Sequence, residues 1–492
     1  MTSRIKNIIN GLLLGLLMLG ATACEGLLEK QPLGQLTSSN FFQTEEHAVW
    51  ATNAVYNILR DWEVHVFSYI GLTDIISDDS DKGSTPTDAN FLLEIDNLTF
   101  TPSNIAFSGV WSGYYQGIYR ANLAIQEIPN IEMDEDLRDR LLGECKFLRA
   151  YFYFKLVRWF GDIPLITAPL EPSEYQQSNT PVAEVYAQIE QDLMEAIGVL
   201  PLRSQYASSD LGRVTKGAAE GLLAKVYLTQ EDFANAETYA LSVINSGEYA
   251  LLERYGDIFQ PKGENSSGSL FEVQATALET GGAGSQYNEV QGVRGTPNLG
   301  WGFNRPSDDL IVSYEPGDPR REATVLYPGE VLPDGSARVD DNPNIVNERY
   351  NQKAWVPEHA GGNGNGPGNI RILRYADVLL MAAEALNENG KSADALPYLN
   401  RVRERARQGL SGILPDIMEI DQNALRELIW KERRIELAME QQRWFDLKRQ
   451  GRLSEKMKAV GKEFVDGRHE LMPIPQREID LSGGELQQNQ GY

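Results

Sequence analysis

Apolar residues recur every three or four positions over several long stretches of the chain, a spacing that predicts amphipathic helices. The clearest helix begins near Glu135, and its apolar residues share one face: Leu141, Cys145, Leu148, Phe152 and Leu156. Gly161 and Pro164 end it, because glycine suits a helix C-terminus and proline cannot continue the helix. The same spacing predicts further helices at about 44–61, 106–128, 182–199, 214–230, 232–246, 371–389, 392–407 and 421–449. The chain is therefore predicted to be mainly α-helical.

Two of the predicted helix pairs have similar patterns of small and large apolar residues. Placing the second pair on the first aligns Ala224 with Ala383, Tyr227 with Leu386, Ala236 with Ala395, Tyr239 with Tyr398 and Val243 with Val402. Small residues let two helices approach closely, and this is the pattern of tetratricopeptide-like helix pairs. Because the two pairs are far apart in the chain, we expect a helical scaffold with an insertion rather than a regular solenoid.

The insertion is predicted at about 247–370, where the helical periodicity disappears. Turn-forming clusters such as "PNLGWGFNRPSDD" and "EPGDPR" replace it, yet the segment is rich in tyrosine, phenylalanine and tryptophan. Disordered segments contain few aromatic residues, whereas long irregular segments inside a domain often carry function. We therefore expect a helical scaffold at about 40–246 and 371–492 with the ligand face in the insertion, whereas length alone allows one large domain or several ordinary ones.

The first residues have the layout of a secretory signal peptide. Arg4 and Lys6 precede an apolar run at 8–19, and small residues lead to Cys24. The run is shorter than the ~20 residues that a membrane-spanning helix needs. A cysteine directly after the cleavage site resembles a bacterial lipobox, in which the cysteine is acylated, so 1–23 are predicted to be removed. The alternative is ordinary secretion with cleavage near Ala23 and an unmodified Cys24.

Charge narrows the class of ligand. The chain has 70 acidic and 45 basic residues, a formal net charge of −25. Such a charge repels the phosphate backbone, which argues against a nucleic-acid ligand. The second cysteine, Cys145, lies on the apolar face of its helix and is predicted to be a small buried residue.

The segment "ERRIELAMEQQRWFDLKR" has the density of charge of a catalytic site. It contains Glu432, Arg433, Arg434, Glu436, Arg443 and Asp446. Opposite charges at helical spacing support one another, so these residues are interpreted as structural. Arg149, Trp159 and Asp162 are interpreted in the same way, as packing, capping and ion-pairing residues.

No cofactor or metal is predicted from the sequence. "DDSD" at 78–81 lacks the ligand spacing of an EF-hand loop and is interpreted as a solvated acidic turn. The four histidines have no zinc-site spacing, and no phosphate-binding glycine motif is present.

Segments along the whole chain resemble the signatures of the SusD/RagB family. They include "ECKFLRAYFYFKLVRWFGDIPLI", "GRVTKGAAEGLLAKVYLTQEDFANAETYALSVINSGEY", "DDLIVSYEPGDPRREATVL", "ILRYADVLLMAAEALNENG" and "ERRIELAMEQQRWFDLKRQG". The resemblance implies a surface lipoprotein of a Bacteroidetes outer membrane, with a single domain over 24–492 and an almost wholly helical fold. Members of the family typically bind a glycan, act as a lid on a SusC-like TonB-dependent transporter, and are not enzymes.

A glycan site needs flat aromatic faces beside polar groups, because rings cover sugar C–H surfaces while carboxylates, amides and guanidinium groups bond the hydroxyls. The candidate residues are Trp301, Asn304, Arg305 and Asp309; Tyr287, Asn288 and Arg294; Trp355; and Asp78, Asp79 and Phe91. Two alternatives stay open. The first alternative is a peptide-binding or protein-binding uptake component of the RagB type. The second is a glycoside hydrolase, whose pair of catalytic carboxylates is not indicated by any motif in the sequence.

Overall fold

α-Helices are the main secondary structure of the protein, a computed structural model that describes residues 41–278, 282–340, 347–357 and 365–492. Cys24 lies outside these residues. The longer helices are α1 (Glu45–Ile58), α4 (Asn90–Asn97), α5 (Ile105–Glu127), α6 (Glu135–Phe160), α7 (Val182–Val199), α8 (Lys216–Thr229), α9 (Phe233–Asn245), α13 (Tyr375–Glu388), α14 (Ser392–Arg407) and α15 (Gln422–Glu436). The prediction of a mainly helical fold is confirmed. Within the described ranges, each helix is too short or too polar to cross a membrane.

In the described residues, short helices and three pairs of strands connect the longer helices. The short helices are α2 (Trp62–His65), α3 (Phe67–Ile70), α10 (Tyr287–Gln291), α11 (Asp308–Ser313), α12 (Pro319–Thr324), α16 (Arg443–Arg449), α17 (Leu453–Ala459) and α18 (Gln476–Leu481). The strands are β1 (Ser80–Gly83), β2 (Ser269–Val273), β3 (Phe303–Pro306), β4 (Val325–Leu326), β5 (Tyr350–Asn351) and β6 (Ile370–Arg374). They form three antiparallel pairs, β1 with β3, β2 with β6 and β4 with β5.

Side-chain caps start the long helices where the sequence predicts helix onsets. The Asp134 carboxylate accepts a hydrogen bond from the Leu137 N–H at 2.9 Å, and the Thr215 hydroxyl accepts one from the Ala218 N–H at 3.1 Å. Each bond satisfies an N–H group that has no partner within the helix, and such a cap contributes ~1 kcal/mol. Gly161 ends α6 with φ +73°, a conformation that favours glycine.

Helix α6 lies at the centre of the core, and almost every side chain from Gly143 to Phe160 is buried. The Arg149 guanidinium donates to both oxygens of Asp192, at 2.8 and 2.7 Å. The Trp159 indole N–H donates to the Leu72 carbonyl, and the Asp162 carboxylate caps α7 by accepting from the Val182 N–H. The structural interpretation of Arg149, Trp159 and Asp162 is therefore confirmed. Cys145 is buried, and burial raises the pKa of its thiol to about 12.

The two similar helix pairs are α8 with α9 and α13 with α14. The aligned alanines are fully buried where the helices cross, and the rings of Tyr227 and Tyr239 stack with their centres 5.7 Å apart. Helix α9 also packs against α13, so the two pairs lie side by side although more than a hundred residues separate them. This arrangement agrees with the predicted tetratricopeptide-like scaffold.

Two predicted helix bounds are wrong, and in both places long-range pairing replaces the helix. Residues 370–374 form β6, which pairs with β2 and joins the two ends of the insertion. The predicted helix at 421–449 is interrupted between Glu436 and Arg443, where Met439 and Gln441 have positive φ. The Gln441 N–H there donates to the Asp74 carboxylate at 3.0 Å, a buried hydrogen bond that a continuous helix would lose.

The charged segment after α14 forms a buried ion-pair network around Glu432, Glu436 and Glu440. Glu436 is fully buried and accepts hydrogen bonds from Arg374 at 3.1 Å, Arg405 at 2.5 Å and Arg320 at 3.3 Å. Burial raises the pKa of the Glu436 carboxyl, but the three arginines outweigh it and lower the value to about 2. The structural interpretation is confirmed. Helix-neighbour pairing is present between Asp446 and Arg449 at 3.0 Å, but it is wrong for Glu436, whose partners lie on other elements.

Candidate functional site

Five aromatic side chains from separate parts of the chain meet beside the β1–β3 pair. Trp301 lies 5.8 Å from Trp62 and 5.9 Å from Phe67, measured between ring centres. Phe67 also contacts Phe91 at 5.3 Å and Phe303 at 4.8 Å. Phe67 and Phe303 are buried, whereas Trp62, Phe91 and Trp301 are partly exposed. We call this group the aromatic cluster, and its exposed edge offers a ligand three apolar rings.

The pairing of β1 with β3 brings Trp301 to the cluster. Gly83 lies opposite Phe303, the Ser84 N–H donates to the Gly302 carbonyl at 2.7 Å, and the Ser84 hydroxyl donates to the Trp301 carbonyl at 2.6 Å. Gly83 has φ +68°, and a Cβ there would lie 2.5 Å from the Gly302 oxygen. The close approach of the two strands therefore needs glycine at position 83.

A polar pair borders the aromatic cluster. Nη1 of Arg294 lies 2.6 Å from the Asp88 carboxylate and 2.5 Å from the Ser84 hydroxyl, and Lys82 lies 3.2 Å from the other oxygen of Asp88. Burial raises the pKa of the Asp88 carboxyl, but hydrogen bonds from Arg294, Thr85, Ser84 and Lys82 outweigh it and hold the value well below the usual range. The Arg294 side chain stays 40% exposed. Asp88 and Arg294 therefore offer a charged acceptor and a guanidinium donor beside the rings.

Two of the predicted residues lie beneath this surface. Asn304 is fully buried and donates to Asp74 at 3.0 Å and to Gln291 at 2.7 Å. The Tyr287 hydroxyl is also buried and accepts from Gln441 at 2.9 Å. Burial raises the pKa of Asp74 to about 6, although hydrogen bonds from Gln441 and Asn304 oppose the rise. In this structure Asn304 and Tyr287 support the cluster from below, and their predicted role as sugar-contacting residues is revised for that reason.

The acidic turn at 78–81 is not solvated. Asp78 and Asp79 are 1% exposed, and they pair with Arg443 at 2.7 Å and Arg434 at 2.7 Å. Arg434 also binds Asp309 at 2.6 Å. Because Arg443 and Arg434 form ion pairs with both carboxylates, the interpretation as a solvated turn is wrong. For the same reason Asp78 and Asp79 are assigned to the packing of the protein rather than to direct sugar contact. Among the described residues, no group of histidine, cysteine and acidic side chains is arranged to hold a metal ion.

The remaining predicted residues lie in two further places. Arg305 pairs with Asp81 at 2.8 Å across β1 and β3, and both side chains are partly exposed. Asn288 is buried and donates to the Ala354 carbonyl, and Trp355 is buried in a small apolar group with Val293 and Tyr350. Asn288 and Trp355 therefore form part of the packing of the insertion rather than of its surface.

The predicted residues Trp301, Arg294 and Phe91 are thus brought together, whereas Trp62, Phe67, Phe303, Ser84 and Asp88 were not predicted. Trp62 and Phe67 follow the first helix, where they read as ordinary apolar positions. Asp88 belongs to the polar segment "SDDSDKGSTPTDAN" at 77–90, which contains turn residues and has no helical periodicity. The pairing of β1 with β3 was not predicted, because it joins residues more than 200 positions apart in the chain.

The chain is similar over its length to known proteins. The family model described as "SusD family" matches residues 267–492, and the one described as "Starch-binding associating with outer membrane" matches residues 38–228. The SusD-like protein P2 of Formosa agariphila is 32% identical, with 97% of this chain and 98% of the relative aligned.

Two solved structures share the fold, and the descriptions of both proteins include a ligand. A laminarin-binding SusD-like protein is 33% identical with a TM-score of 0.78, covering 92% of this chain and 100% of its own. Surface glycan-binding protein A of Bacteroides thetaiotaomicron, in complex with laminarihexaose, is 27% identical with a TM-score of 0.77, covering 91% of this chain and 100% of its own. Together with the full-length similarity to the Formosa protein, these matches show that the chain belongs to the SusD family.

Proposed function

We propose that this protein is a cell-surface lipoprotein that captures oligosaccharides at the aromatic cluster and delivers them to a SusC-like TonB-dependent transporter. The observation that carries the proposal is the exposed edge formed by Trp62, Phe91 and Trp301 beside the Asp88–Arg294 pair. The rings cover sugar C–H faces, while the carboxylate and the guanidinium bond the hydroxyls. The role is binding rather than catalysis, in keeping with family members that bind carbohydrate.

The ligand class that we propose is a glucan of the laminarin type. Support comes from two solved relatives whose names contain laminarin and laminarihexaose. The net charge of −25 favours a neutral sugar chain over an anionic one.

The test is a glycan array followed by calorimetric titration of the bound glycans. The full-length gene is expressed with Cys24→Ala, so that the exported protein is purified without an acyl chain. We expect Trp301→Ala to weaken binding of laminarihexaose at least about tenfold, since aromatic anchors dominate binding energies. Tyr175→Ala is the control, because Tyr175 is 67% exposed and lies in a loop outside the aromatic cluster.

Three outcomes would contradict the proposal. Unchanged affinity in Trp301→Ala would remove the aromatic cluster from the site. Binding of peptides and of no glycan on a mixed array would favour the RagB-type alternative. Release of reducing sugars by the purified protein would favour a glycoside hydrolase.

The anchor and the transporter form the second half of the proposal. Cys24 lies outside the described residues, and acylation there would tether the protein to the outer membrane facing the cell exterior. Cells that carry Cys24→Ala are expected to lose membrane retention while the purified protein keeps its glycan affinity. Purification of the acylated protein from membranes is expected to bring the transporter with it, and its absence from cross-linked preparations would count against delivery.

A further inference from the structure

A groove of about 690 Å³ runs along α1, and its lining residue Arg60 lies two positions before Trp62 of the aromatic cluster. Its volume is within the range of about 300–1,000 Å³ that small-molecule sites occupy. One wall is the exposed face of α1 and the turn after it, and the other comes from the loop before α8 and the segment after β2. The residues that matter for binding are Trp50, Asn53, Asn57, Arg60, Leu211 and Gln274.

The α1 wall has the chemistry of a sugar site. Trp50, Asn53 and Asn57 recur at the spacing of one helix face, and Arg60 follows in the next turn. The Trp50 side chain is 42% exposed, which is unusual for tryptophan in a folded protein. An exposed indole, two amides and a guanidinium combine an apolar face with hydroxyl-bonding groups.

These side chains are held in place before any ligand arrives. His47 packs between Phe41 and Trp50, with ring centres 5.3 and 5.4 Å apart. Arg213 donates to the Asn53 amide oxygen at 2.8 Å, and Arg60 donates to the Gly282 carbonyl at 3.2 Å. Prepositioned side chains lose little entropy on binding, which favours affinity.

The groove is continuous in the chain with the aromatic cluster. Arg60 lines the groove, and Trp62, which contacts Trp301 at 5.8 Å, follows after a single residue. Trp50 lies eight residues before the end of α1, which corresponds to about 12 Å along the helix. An oligosaccharide that covers Trp62 and Trp301 would need further units to reach Trp50.

We propose that this α1 groove is a second sugar-binding subsite that takes the distal units of the oligosaccharide held at the aromatic cluster. The inference rests on the proposed glycan-binding function and adds selection for chain length to it. Short oligosaccharides occupy the aromatic cluster alone, whereas longer ones also stack on Trp50.

The test measures affinity against ligand length by calorimetry, with the series from laminaribiose to laminarihexaose, or the equivalent series of whichever glycan the wild type binds on the array. In Trp50→Ala we expect about tenfold weaker binding of the longest member and less than about a twofold change for the shortest. Leu211→Lys places a charge in the groove from the opposite wall, and we expect the same length dependence. In Trp301→Ala we expect weaker binding at every length.

The outcomes separate the two proposals. Equal affinity of wild type, Trp50→Ala and Leu211→Lys for every length would overturn the α1 groove and leave the aromatic cluster standing. If Trp50→Ala only lowers the melting temperature, Trp50 is a packing residue and the inference is wrong. A loss at all lengths in Trp50→Ala with none in Trp301→Ala would overturn the aromatic cluster as the primary site. If the wild type binds no glycan, both proposals fail.

Discussion

The buried ion-pair network and the aromatic cluster use arginine and carboxylate pairs in opposite ways. Around Glu436 the partners Arg374, Arg405 and Arg320 are at most 8% exposed, and each forms an ion pair with a carboxylate of the protein. Beside the aromatic cluster, Arg294 is 40% exposed and Asp88 31% exposed, so both keep hydrogen-bonding capacity for a ligand. Dense charge in a sequence therefore indicates a functional site only when the folded protein leaves it accessible.

The largest expected effect comes from breaking the buried network. Glu436→Ala leaves three buried arginines without their shared carboxylate, and removing one partner of a buried ion pair typically costs ~3–5 kcal/mol. We expect the free energy of unfolding in urea to fall by about this amount. Glu455→Ala, whose carboxylate is 63% exposed beside Lys456, is the control and should leave stability unchanged. Equal stability of the two variants would contradict the role given to the network.

The next effect is a loss of stability in mild acid that comes from the scaffold. His65 is fully buried, with one ring nitrogen 2.8 Å from the Leu59 carbonyl and the other 2.6 Å from the Tyr151 hydroxyl. Burial and the nearby Lys155 charge lower its pKa to about 3, against 6.5 for the exposed ring. The unfolded chain therefore binds the extra proton first, so stability is complete above pH 6.5 and declines as the pH falls toward 3.

Denaturant titrations at pH 7 and pH 5 measure this effect. We expect His65 to account for about 2 kcal/mol of lost stability between the two values, since each pKa unit corresponds to about 1.4 kcal/mol. His65→Gln should be less stable at pH 7 but should change less on going to pH 5. Parallel losses in wild type and variant would assign the acid sensitivity to other groups.

A smaller effect, on affinity alone, is expected at the exposed pair. Asp88→Asn and Arg294→Ala each remove one hydrogen-bonding group from the border of the aromatic cluster. We expect about tenfold weaker glycan binding in calorimetry, with little change in melting temperature because the pair is partly exposed. Arg452→Ala, which breaks a similar exposed pair with Glu427, is the matched control. A large drop in melting temperature with unchanged affinity would make the pair structural.

The smallest effect concerns pH at the site itself. The neighbours of Asp88 hold its pKa well below the usual range, so the carboxylate stays ionised throughout mild acid. Glycan affinity should therefore vary less than about twofold between pH 8 and pH 5, although the scaffold loses stability over the same range. A binding midpoint inside that range would show that another titrating group contacts the ligand.

The helices are well predicted by the sequence because their signals are local. Apolar spacing and capping residues such as Asp134 and Thr215 act within a few positions, and the predicted onsets of the long helices agree with the structure to within a few residues. It failed at 370–374, where the burial of all five residues reflects pairing with β2 rather than a helix face. A short apolar run cannot be assigned to helix or strand by spacing alone.

The candidate site was only partly predictable. Trp301, Arg294 and Phe91 were identified because aromatic and planar polar residues in an irregular segment favour sugar binding. Asn304 and Trp355 are residues of the same types but are buried. Trp62 lies among ordinary apolar positions, and Asp88 was missed although Phe91 and the acidic turn at 78–81 are close to it in the chain. Residue type alone does not distinguish a ring that packs the interior from a ring that faces solvent.

By itself, the sequence determined the helical class, the helix pairs and the family resemblance, since these depend on short-range spacing and recurring segments. Only the tertiary structure decided which charges are neutralised and which aromatic rings meet. The pairing of β1 with β3 brings Ser84 to the Trp301 carbonyl across 217 positions, and the arginines around Glu436 come from separate elements. Such contacts depend on how distant surfaces pack, and local sequence does not encode them.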